Sequence, residues 1–233
     1  MILFYTNNIN DKIATLEGDE HIHCAKTLRK KMGDTIHFVD GNGGWYEGQL
    51  ITITKKRTTI AIINREEVAN RVTGLHIAIA PTKNINRLEW FLEKTTEIGI
   101  SEITPILCQR SERKNIRLDR LQKIIVAAMK QSLKAHLPKI NELTTFSNFI
   151  KKVTNEEQKF IAHCNDGDKM LLKNTVIPQK SALILIGPEG DFSNEEVDLA
   201  LKADFQAISL GQERLRTETA GIVACHTVSL MNQ

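Results

Sequence analysis

Two loops in the C-terminal part of the chain combine residues suited to holding a ligand. The first is Gly187-Pro188-Glu189-Gly190, directly after the apolar run 182–186, and the second is 210–216, after the run 207–209. Pro188 fixes one backbone φ angle while glycines tolerate unusual ones, so the first loop has a preset shape that a ligand could approach closely. Glycine is also common in ordinary turns after a strand. Either loop taken alone therefore leaves open the interpretation that it is a turn without a ligand.

The residue types of the first loop limit the ligand that it could hold. It contains no lysine or arginine, and the chain has neither the G-x-x-x-x-G-K-[ST] phosphate loop nor the G-x-G-x-x-G dinucleotide fingerprint. The glycine-rich segment 41–48 continues into a strand pattern and is predicted to be a hairpin turn. What remains is a ligand without phosphates, recognised by backbone N–H and C=O groups, such as an adenosine-like group with an amino-acid tail.

Such a site needs a sheet whose strands end next to both loops, and the second part of the chain predicts one. From residue 74 onward, apolar runs alternate with helical patterns, so we expect a mostly parallel sheet covered on both faces. Strands are expected at 75–81, 103–107, 159–164, 182–187 and 207–211, and helices at 86–99, at 118–133, from 193 and from 217. Ligands bind beyond the carboxyl ends of such strands, which places both loops at one site.

Capping residues predict where three of these helices begin. The candidate caps are Asn86 with Glu89, Ser193 with Glu196, and Thr217. Gly99 is expected to end the first helix. Both loops therefore lead from a strand into the start of a helix.

Residues 1–70 are predicted to form a separate, mostly β module. A strand at 35–39, a turn at 40–44 and two β-branched runs at 45–54 and 58–64 suggest a small barrel-like fold. Asp19 is expected to cap a short helix that ends near Gly33 and carries Arg29, Lys30 and Lys31 at its end. Near 68–74 the sequence pattern changes from mostly strands to alternating strands and helices. This change predicts a boundary between a domain at 1–70 and a domain at 74–233.

Composition excludes several other classes of protein. The net charge is only +3, so total charge does not indicate a nucleic-acid-binding protein. Aromatic residues make up 5% of the chain, which disfavours an RNA-binding surface on which bases stack against aromatic side chains. The four cysteines are far apart, so reduced thiols are expected, and His21, His23 and Cys24 lack the further ligands that a metal site needs. No run has the length of a membrane span and the N-terminus lacks signal-peptide features, so we expect a cytoplasmic protein with no metal and no membrane partner.

Four ordered segments resemble one known family. LILIGPEGDFSNEEV (183–197) and LGQERLRTETAGIVA (210–224), together with 21–48 and 80–113, resemble the ribosomal RNA methyltransferases that modify N3 of a uridine in 16S rRNA. These enzymes belong to the SPOUT class, which uses S-adenosylmethionine (SAM). The resemblance extends over nearly the whole chain.

The resemblance implies a fold, a cofactor and partners. The fold would be α/β, a SPOUT-type parallel sheet with a C-terminal trefoil knot, preceded by a small PUA-like β-barrel that binds RNA. Knots are otherwise nearly absent from proteins, so local patterns could not predict one. The cofactor would be SAM, the substrate 16S rRNA or the small ribosomal subunit, and the enzyme a homodimer with its active site near the subunit interface.

The same resemblance assigns roles to individual residues. SAM contacts are expected from Gly187, Pro188, Glu189, Gly190, Leu210, Gly211, Leu215 and Arg216. Arg216 is the candidate for stabilising a uracil anion, and Glu189 or Glu218 the candidate for accepting the N3 proton. The alternatives are that Glu218 only complements the dipole of its helix and that Glu189 is an exposed turn carboxylate.

RNA contacts are expected from two basic groups. These are Arg29, Lys30 and Lys31 in the β module, and Arg110, Arg113 and Lys114 in the second domain. The chain also departs from the family pattern in two places. Glu213 and Arg214 stand where an arginine and an aliphatic residue are expected, and the helix motif E-Q-S-x-R is replaced by residues 130–134, KQSLK. Arg214 could supply the missing guanidinium.

Three other functions remain open from the sequence. The protein could be a SPOUT enzyme that acts on another RNA or base, or an RNA-binding protein without catalytic activity. A nucleotide-dependent α/β enzyme such as a dehydrogenase is disfavoured by the missing fingerprints. SAM binding would separate the enzyme from the binding protein.

Overall fold

The sequence folds into two units, each with its own sheet. The structure, a computed structural model, describes residues 1–69, 74–152, 156–165 and 167–233. The first unit comprises Met1–Arg71 with Val126–Leu137, and the second Val72–Ile125 with Pro138–Gln233. The boundary predicted near 68–74 falls largely on 70–73, outside the described residues, so the division into 1–70 and 74–233 stays a prediction. Within the described ranges, no helix combines the length and the apolar character required to cross a bilayer.

The first unit contains a six-stranded sheet in the order β1-β4-β5-β6-β3-β2. Its strands are β1 (Leu3–Tyr5), β2 (Ile9–Asn10), β3 (Ile13–Glu17), β4 (Thr35–Val39), β5 (Gly44–Ile53) and β6 (Arg57–Glu67). β1 pairs with β4 in parallel, and the other neighbours are antiparallel. The strands predicted at 35–39, 45–54 and 58–64 are confirmed as β4, β5 and β6.

The predicted hairpin turn joins β4 to β5 and is organised by one carboxylate. Asp40 accepts hydrogen bonds from the backbone N–H groups of Asn42 (2.7 Å) and Gly44 (3.0 Å) and from the Tyr46 hydroxyl (3.0 Å). Tyr46 stacks on Phe38 across the hairpin with ring centroids 4.9 Å apart. Alternate residues of these strands point into a core, so the register follows from the period-2 pattern.

The helix predicted from Asp19 towards Gly33 is wrong in its start and in its extent. Helix α1 (Gly18–Ile22) has Glu17 at its N-cap position without a side-chain cap, and it continues only as a π-helical turn, His23–Thr27. His21 is buried beside the Thr58 hydroxyl (2.8 Å), which anchors the segment to the sheet. Arg29 then takes a left-handed conformation (φ 52°), so the basic triplet 29–31 lies on the connection to β4 rather than on a helix.

The second unit contains an eight-stranded sheet in which every described pairing is parallel. The order is β10-β8-β7-β13-β11-β14-β12, and β9 also pairs with β8. The strands are β7 (Leu75–Ile79), β8 (Glu102–Leu107), β9 (Lys139–Ile140), β10 (Thr144–Thr145), β11 (Gln158–Ala162), β12 (Met170–Leu171), β13 (Ala182–Ile186) and β14 (Gln206–Ser209). The parallel sheet and its five predicted strands are confirmed, while the trefoil knot stays a prediction.

Pro105 explains why β8 has two short neighbours on one side. β9 pairs with residues 102–103 and β10 with 106–107, so no strand of the described residues pairs with Thr104–Pro105 on that side. Proline has no N–H to donate to a ladder, and strands tolerate it only where pairing is interrupted.

In the described ranges, six helices belong wholly or partly to the second unit. They are α2 (Ile85–Ile98), α3 (Leu118–Gln131), α4 (Phe146–Lys152), α5 (Leu172–Thr175), α6 (Asn194–Lys202) and α7 (Thr217–Met231). The capping box of Ser193 and Glu196 at the start of α6 is confirmed, and Gly99 ends α2 as predicted.

Two of the predicted caps are wrong. The cap of α2 is Asn84, whose side chain accepts from the N–H of Asn86, and Glu89 instead forms an ion pair with Arg120 (2.6 Å). At α7 the N-cap position is held by Arg216, without a side-chain bond, and Thr217 is the first helical residue.

Lys130 on α3, one of the departures from the family pattern, has a local partner. Residues of α3 from 126 onward belong to the first unit, where the Lys130 ammonium contacts the Glu20 carboxylate. The other oxygen of Glu20 accepts from the Tyr5 N–H (3.1 Å). The two side chains are 19% and 17% exposed, so a cation at position 130 is matched by a partly buried anion of the same unit.

Candidate functional site

The two predicted loops meet in a cavity of about 280 Å³ at the carboxyl ends of β11, β13 and β14. It is lined by Ala162, Cys164, Ile186, Gly187, Pro188, Glu189, Asp191, Arg214, Leu215, Arg216, Thr217 and Ala220. The cavity therefore combines apolar surface, main chain and a few charged side chains.

Five of the eight residues predicted to bind the cofactor line this cavity, namely Gly187, Pro188, Glu189, Leu215 and Arg216. Gly190, Leu210 and Gly211 are not among its lining residues in the described part of the chain. Gly190 instead packs against Arg110, because a Cβ built there would lie 3.3 Å from the Arg110 Cβ. Gly211 follows β14 with φ 141° and exchanges hydrogen bonds with the Ser209 side chain.

The glycines of the first loop provide space rather than unusual φ angles. A Cβ at Gly187 would lie 3.1 Å from the ring of Phe192, so the bare side of this glycine is filled by the protein itself. The left-handed residue of the segment is Asp191 (φ 61°), directly after the loop. Close packing therefore explains the glycines better than close approach of a ligand does.

Carbonyl oxygens of the first loop are tied to its surroundings. The Thr217 hydroxyl donates to the Gly187 carbonyl (3.0 Å), which joins this loop to the start of α7. The Asp191 N–H donates to the Pro188 carbonyl (2.9 Å) and closes a tight turn. Thr217, predicted as a cap, thus connects the two loops.

A third segment of the chain, at the end of β11, also lines the cavity, and Asp191 binds it. Its carboxylate accepts from the N–H groups of Cys164 (2.7 Å) and Phe192 (2.8 Å). Sequence reasoning missed Asp191, Cys164 and Ala162 as lining residues. Asp191 could have been found because it directly follows the first loop within a segment that matches the family.

His163 lies between Ala162 and Cys164, and both of its ring nitrogens are buried without a hydrogen-bond partner among the residues that the structure describes. Burial, together with the nearby Lys169 ammonium, lowers the pKa of this imidazole from its usual range. Both effects favour the neutral imidazole over the charged one.

The charged candidates differ in exposure. Arg214 and Arg216 are exposed at the cavity, so Arg214 is in place to supply a guanidinium there, whereas Glu213 is not a lining residue. Glu189 is also exposed, and one of its oxygens accepts from the Lys83 N–H (2.9 Å). Glu218 is only 4% exposed and does not line the cavity.

Glu218 occupies the first turn of α7, where one oxygen lies 3.7 Å from the Arg87 Nε on α2. The other oxygen is buried and has no hydrogen-bond partner within the described part of the chain. An unpartnered buried carboxylate is costly, so the residue is either a functional group or a structural partner of Arg87 and the helix dipole.

The residues predicted to bind RNA fall into two groups. Arg29, Lys31, Arg110 and Lys114 are exposed, and Lys30 and Arg113 are half-buried. The guanidinium groups of Arg110 and Arg113 differ from the others in that they bond to backbone carbonyls. In the described ranges, no group of three or more His, Cys, Asp or Glu side chains is placed to hold a metal ion.

Two family models match the chain. A model described as an RNA methyltransferase domain matches residues 69–229, and one described as an RNA methyltransferase PUA domain matches residues 16–63. The methyltransferase match covers the second unit up to residue 229 together with residues 126–137 of the first unit, and the PUA match covers residues 16–63 of the first unit.

Individual proteins match along their full length. Ribosomal RNA small subunit methyltransferase E of Mesomycoplasma hyopneumoniae is 30% identical over 229 residues, which is 95% of this chain and 96% of that protein. Among solved structures, a protein from Porphyromonas gingivalis assigned as a probable rRNA-methyltransferase is 37% identical, with a TM-score of 0.92 over 100% of this chain and 98% of that one. A protein from Legionella pneumophila assigned as a methyltransferase, with SAM bound, is 25% identical, with a TM-score of 0.88 over 99% and 98%.

Proposed function

This chain belongs to the RNA methyltransferase family that includes ribosomal RNA small subunit methyltransferase E, and we propose that it transfers a methyl group from SAM to N3 of a uridine in 16S rRNA. The observation that carries the proposal is the cavity formed by the two family segments 183–197 and 210–224. Its position beyond the carboxyl ends of parallel strands is the usual ligand position in such sheets.

The residues of the cavity fit SAM. Ile186, Pro188 and Leu215 offer apolar surface for an adenine ring, and the exposed guanidinium of Arg214 suits the carboxylate of the amino-acid tail. The volume of about 280 Å³ is close to the roughly 300 Å³ lower end of ordinary ligand pockets. Bound SAM supplies an electrophilic methyl group on a sulfonium that leaves readily.

Different side chains at the cavity serve as the proton acceptor and as the anion-stabilising group. N3 of neutral uracil is a poor nucleophile until its proton leaves, so a base and an anion-stabilising group are needed. Arg216 is exposed at the cavity and stabilises the negative charge that develops on the uracil carbonyl oxygens. Glu189 lines the same cavity and accepts the proton, and buried Glu218 is the second candidate for this role.

Three measurements test the reaction. Isothermal titration should show SAM binding to the purified protein, and small ribosomal subunits from cells that lack the gene should accept one methyl group per 16S rRNA from labelled SAM. Mass mapping of that rRNA should then place the methyl group on N3 of one uridine. Absence of SAM binding would contradict the enzyme, and a methyl group on another base or RNA would move the protein to a different SPOUT specificity.

The family also supports two statements about partners. We propose that the small ribosomal subunit is the natural substrate and that the enzyme works as a homodimer. Light scattering on the purified protein should give twice the mass of the 26.3 kDa chain. A monomeric mass with full activity would contradict the dimer.

A further inference from the structure

Two arginines that were expected to bind RNA form hydrogen bonds with backbone carbonyls of neighbouring segments, although Arg110 is itself exposed and Arg113 is half-buried. Arg110 and Arg113 lie in the segment 108–113, which follows β8. The Arg110 Nη1 donates to the carbonyl oxygens of Gly190 (2.9 Å) and Phe192 (3.3 Å). The donors of Arg113 are Nε, to the Thr82 carbonyl (3.0 Å), and Nη2, to the Lys83 carbonyl (2.7 Å).

These hydrogen bonds belong to a network that connects the first ligand loop, 187–190, to the segments that follow β7 and β8. Arg110 holds the end of the loop at Gly190, and Arg113 holds the segment that follows β7 at Thr82 and Lys83. Those two segments are joined directly, because the Lys83 N–H donates to the Glu189 carboxylate (2.9 Å). Three loops that follow three different strands therefore share one hydrogen-bond network.

The segment that carries the arginines is itself anchored. The buried Ser111 hydroxyl accepts from the Cys108 N–H (3.0 Å). The Gln109 N–H donates to the Glu196 carboxylate (2.8 Å), which also completes the capping box of α6. Because this segment is held in place, the two guanidinium groups have fixed positions relative to the loops that they bind.

Gly190 is part of the same arrangement. A Cβ at this position would lie 3.3 Å from the Arg110 Cβ, closer than most real side chains pack. The glycine therefore allows the aliphatic part of Arg110 to lie against the loop while its guanidinium reaches the carbonyl oxygens.

We propose that Arg110 and Arg113 are positioning residues that hold loop 187–190 and segment 82–83 in the shape that binds SAM. This inference rests on the proposed function. A loop that is already ordered loses less conformational entropy when its ligand binds, so the arginines act on the affinity for SAM rather than on contacts with RNA.

The test compares Arg110→Gln and Arg113→Gln with Lys114→Gln, an exposed basic residue of the same region. Dissociation constants are measured for SAM by calorimetry and for 16S rRNA by filter binding. Loss of a charged hydrogen bond should weaken SAM binding by about tenfold in each arginine variant and leave rRNA binding nearly unchanged. Lys114→Gln should leave SAM binding unchanged.

Lysine variants distinguish positioning from a general loss of structure. Arg110 uses one nitrogen for both carbonyls, so Arg110→Lys should recover most of the SAM affinity. Arg113 uses two nitrogens on two carbonyls, a geometry that an ammonium does not reproduce, so Arg113→Lys should remain weak. Equal recovery, or no recovery, in both lysine variants would overturn the proposal.

The opposite pattern of affinities is equally decisive. Unchanged SAM binding with weakened rRNA binding in the arginine variants would make them RNA contacts and refute the positioning role. Hydrogen exchange of residues 187–192 in the protein without ligand provides a readout that does not depend on SAM, since Arg110→Gln should accelerate it. If the unmodified protein binds no SAM, the proposed function fails, and this exchange rate still decides the role of Arg110.

Discussion

The charged side chains around the cavity differ more in burial than in type. Arg216 and Glu189 are exposed and line the cavity, whereas Glu218 is buried and has one oxygen without a partner. A group must reach the substrate to stabilise charge or to accept a proton, so the exposed pair is the better placed.

Replacement of Arg216 by alanine should abolish methyl transfer while the fold remains intact. The side chain is exposed and makes no cap bond at α7, so its loss removes the stabilisation of the uracil anion without leaving a buried gap. Labelled SAM and small subunits measure the rate, and circular dichroism checks the fold. Near-normal turnover in the alanine variant would remove Arg216 from the mechanism.

Glutamine at position 189 should lower the rate of methyl transfer by roughly 10²–10⁴-fold, the usual contribution of a general base. The amide oxygen can still accept from the Lys83 N–H, so the loop should keep its shape and its affinity for SAM. Glu218→Gln is the matched control and should retain most activity, since that side chain does not line the cavity. The reverse result would assign the base to Glu218.

His163 should make stability depend on pH. Its pKa is lowered in the folded protein by burial and by Lys169, so the unfolded chain binds a proton more readily. The contribution of His163 to the free energy of unfolding should therefore be steady above about pH 6.5, the usual pKa of histidine, and should fall as the pH decreases from there towards the lower folded pKa. Urea unfolding at pH 8 and pH 5 measures this, and His163→Gln should show a smaller decrease. An identical decrease in the variant would assign the effect to other groups.

At the scale of elements, the starts of the helices show how local signals compete. Ser193 and Glu196 form the predicted box because their spacing alone satisfies it. At α2 two asparagines compete, and Asn84 is the cap because the preceding Thr82 hydroxyl donates to its carbonyl (2.7 Å) and sets the path into the helix. The π-helical turn after α1 has no local signal, since it depends on burial of His21 and Cys24 against the sheet.

The contact between α2 and α7 requires a glycine. A Cβ at Gly221 would lie 2.5 Å from the ring of Phe91 and 3.2 Å from the side chain of Ile79. Gly221→Ala should therefore lower the free energy of unfolding by about 1–3 kcal/mol through overpacking, although alanine is favoured over glycine in a helix by about 1 kcal/mol. Urea unfolding measures the change, and Phe91→Leu in the alanine background should recover part of it. A more stable Gly221→Ala protein would contradict this packing.

At the scale of the whole molecule, recognition of RNA depends on where the charges lie, because the net charge is only +3. The first unit presents Arg29, Lys30 and Lys31 on a loop, and the second presents Lys114 on its surface. With Arg110 and Arg113 bonded internally, the basic loop of the first unit is the stronger candidate for phosphate contacts.

Replacement of Arg29, Lys30 and Lys31 by glutamine should weaken rRNA binding and flatten its salt dependence. Each lost phosphate contact should reduce the slope of log affinity against log salt by about one. Filter binding at several salt concentrations measures the slope, and SAM affinity should stay unchanged as the control. An unchanged slope would show that the triplet does not contact phosphates.

The sequence by itself determined the features that depend on local patterns. Alternating apolar residues predicted three strands of the first unit, β4, β5 and β6, and the alternation of strands and helices predicted the parallel sheet. The two loops at the carboxyl ends of β13 and β14 followed from the rule that parallel strands share one ligand edge. These features depend only on the spacing of apolar residues and on the capping and turn preferences of a few neighbouring residues.

Only the tertiary structure decided what the charged residues do. Arg110 and Gly190 are 80 positions apart in the chain, so no local pattern could show that the guanidinium binds a loop carbonyl. The burial of Glu218, the exposure of Glu189 and the packing of Gly187 against Phe192 likewise depend on which elements meet. Residue type limits the chemistry that a side chain can perform, and the contacts made by the folded chain select which part of that chemistry is available.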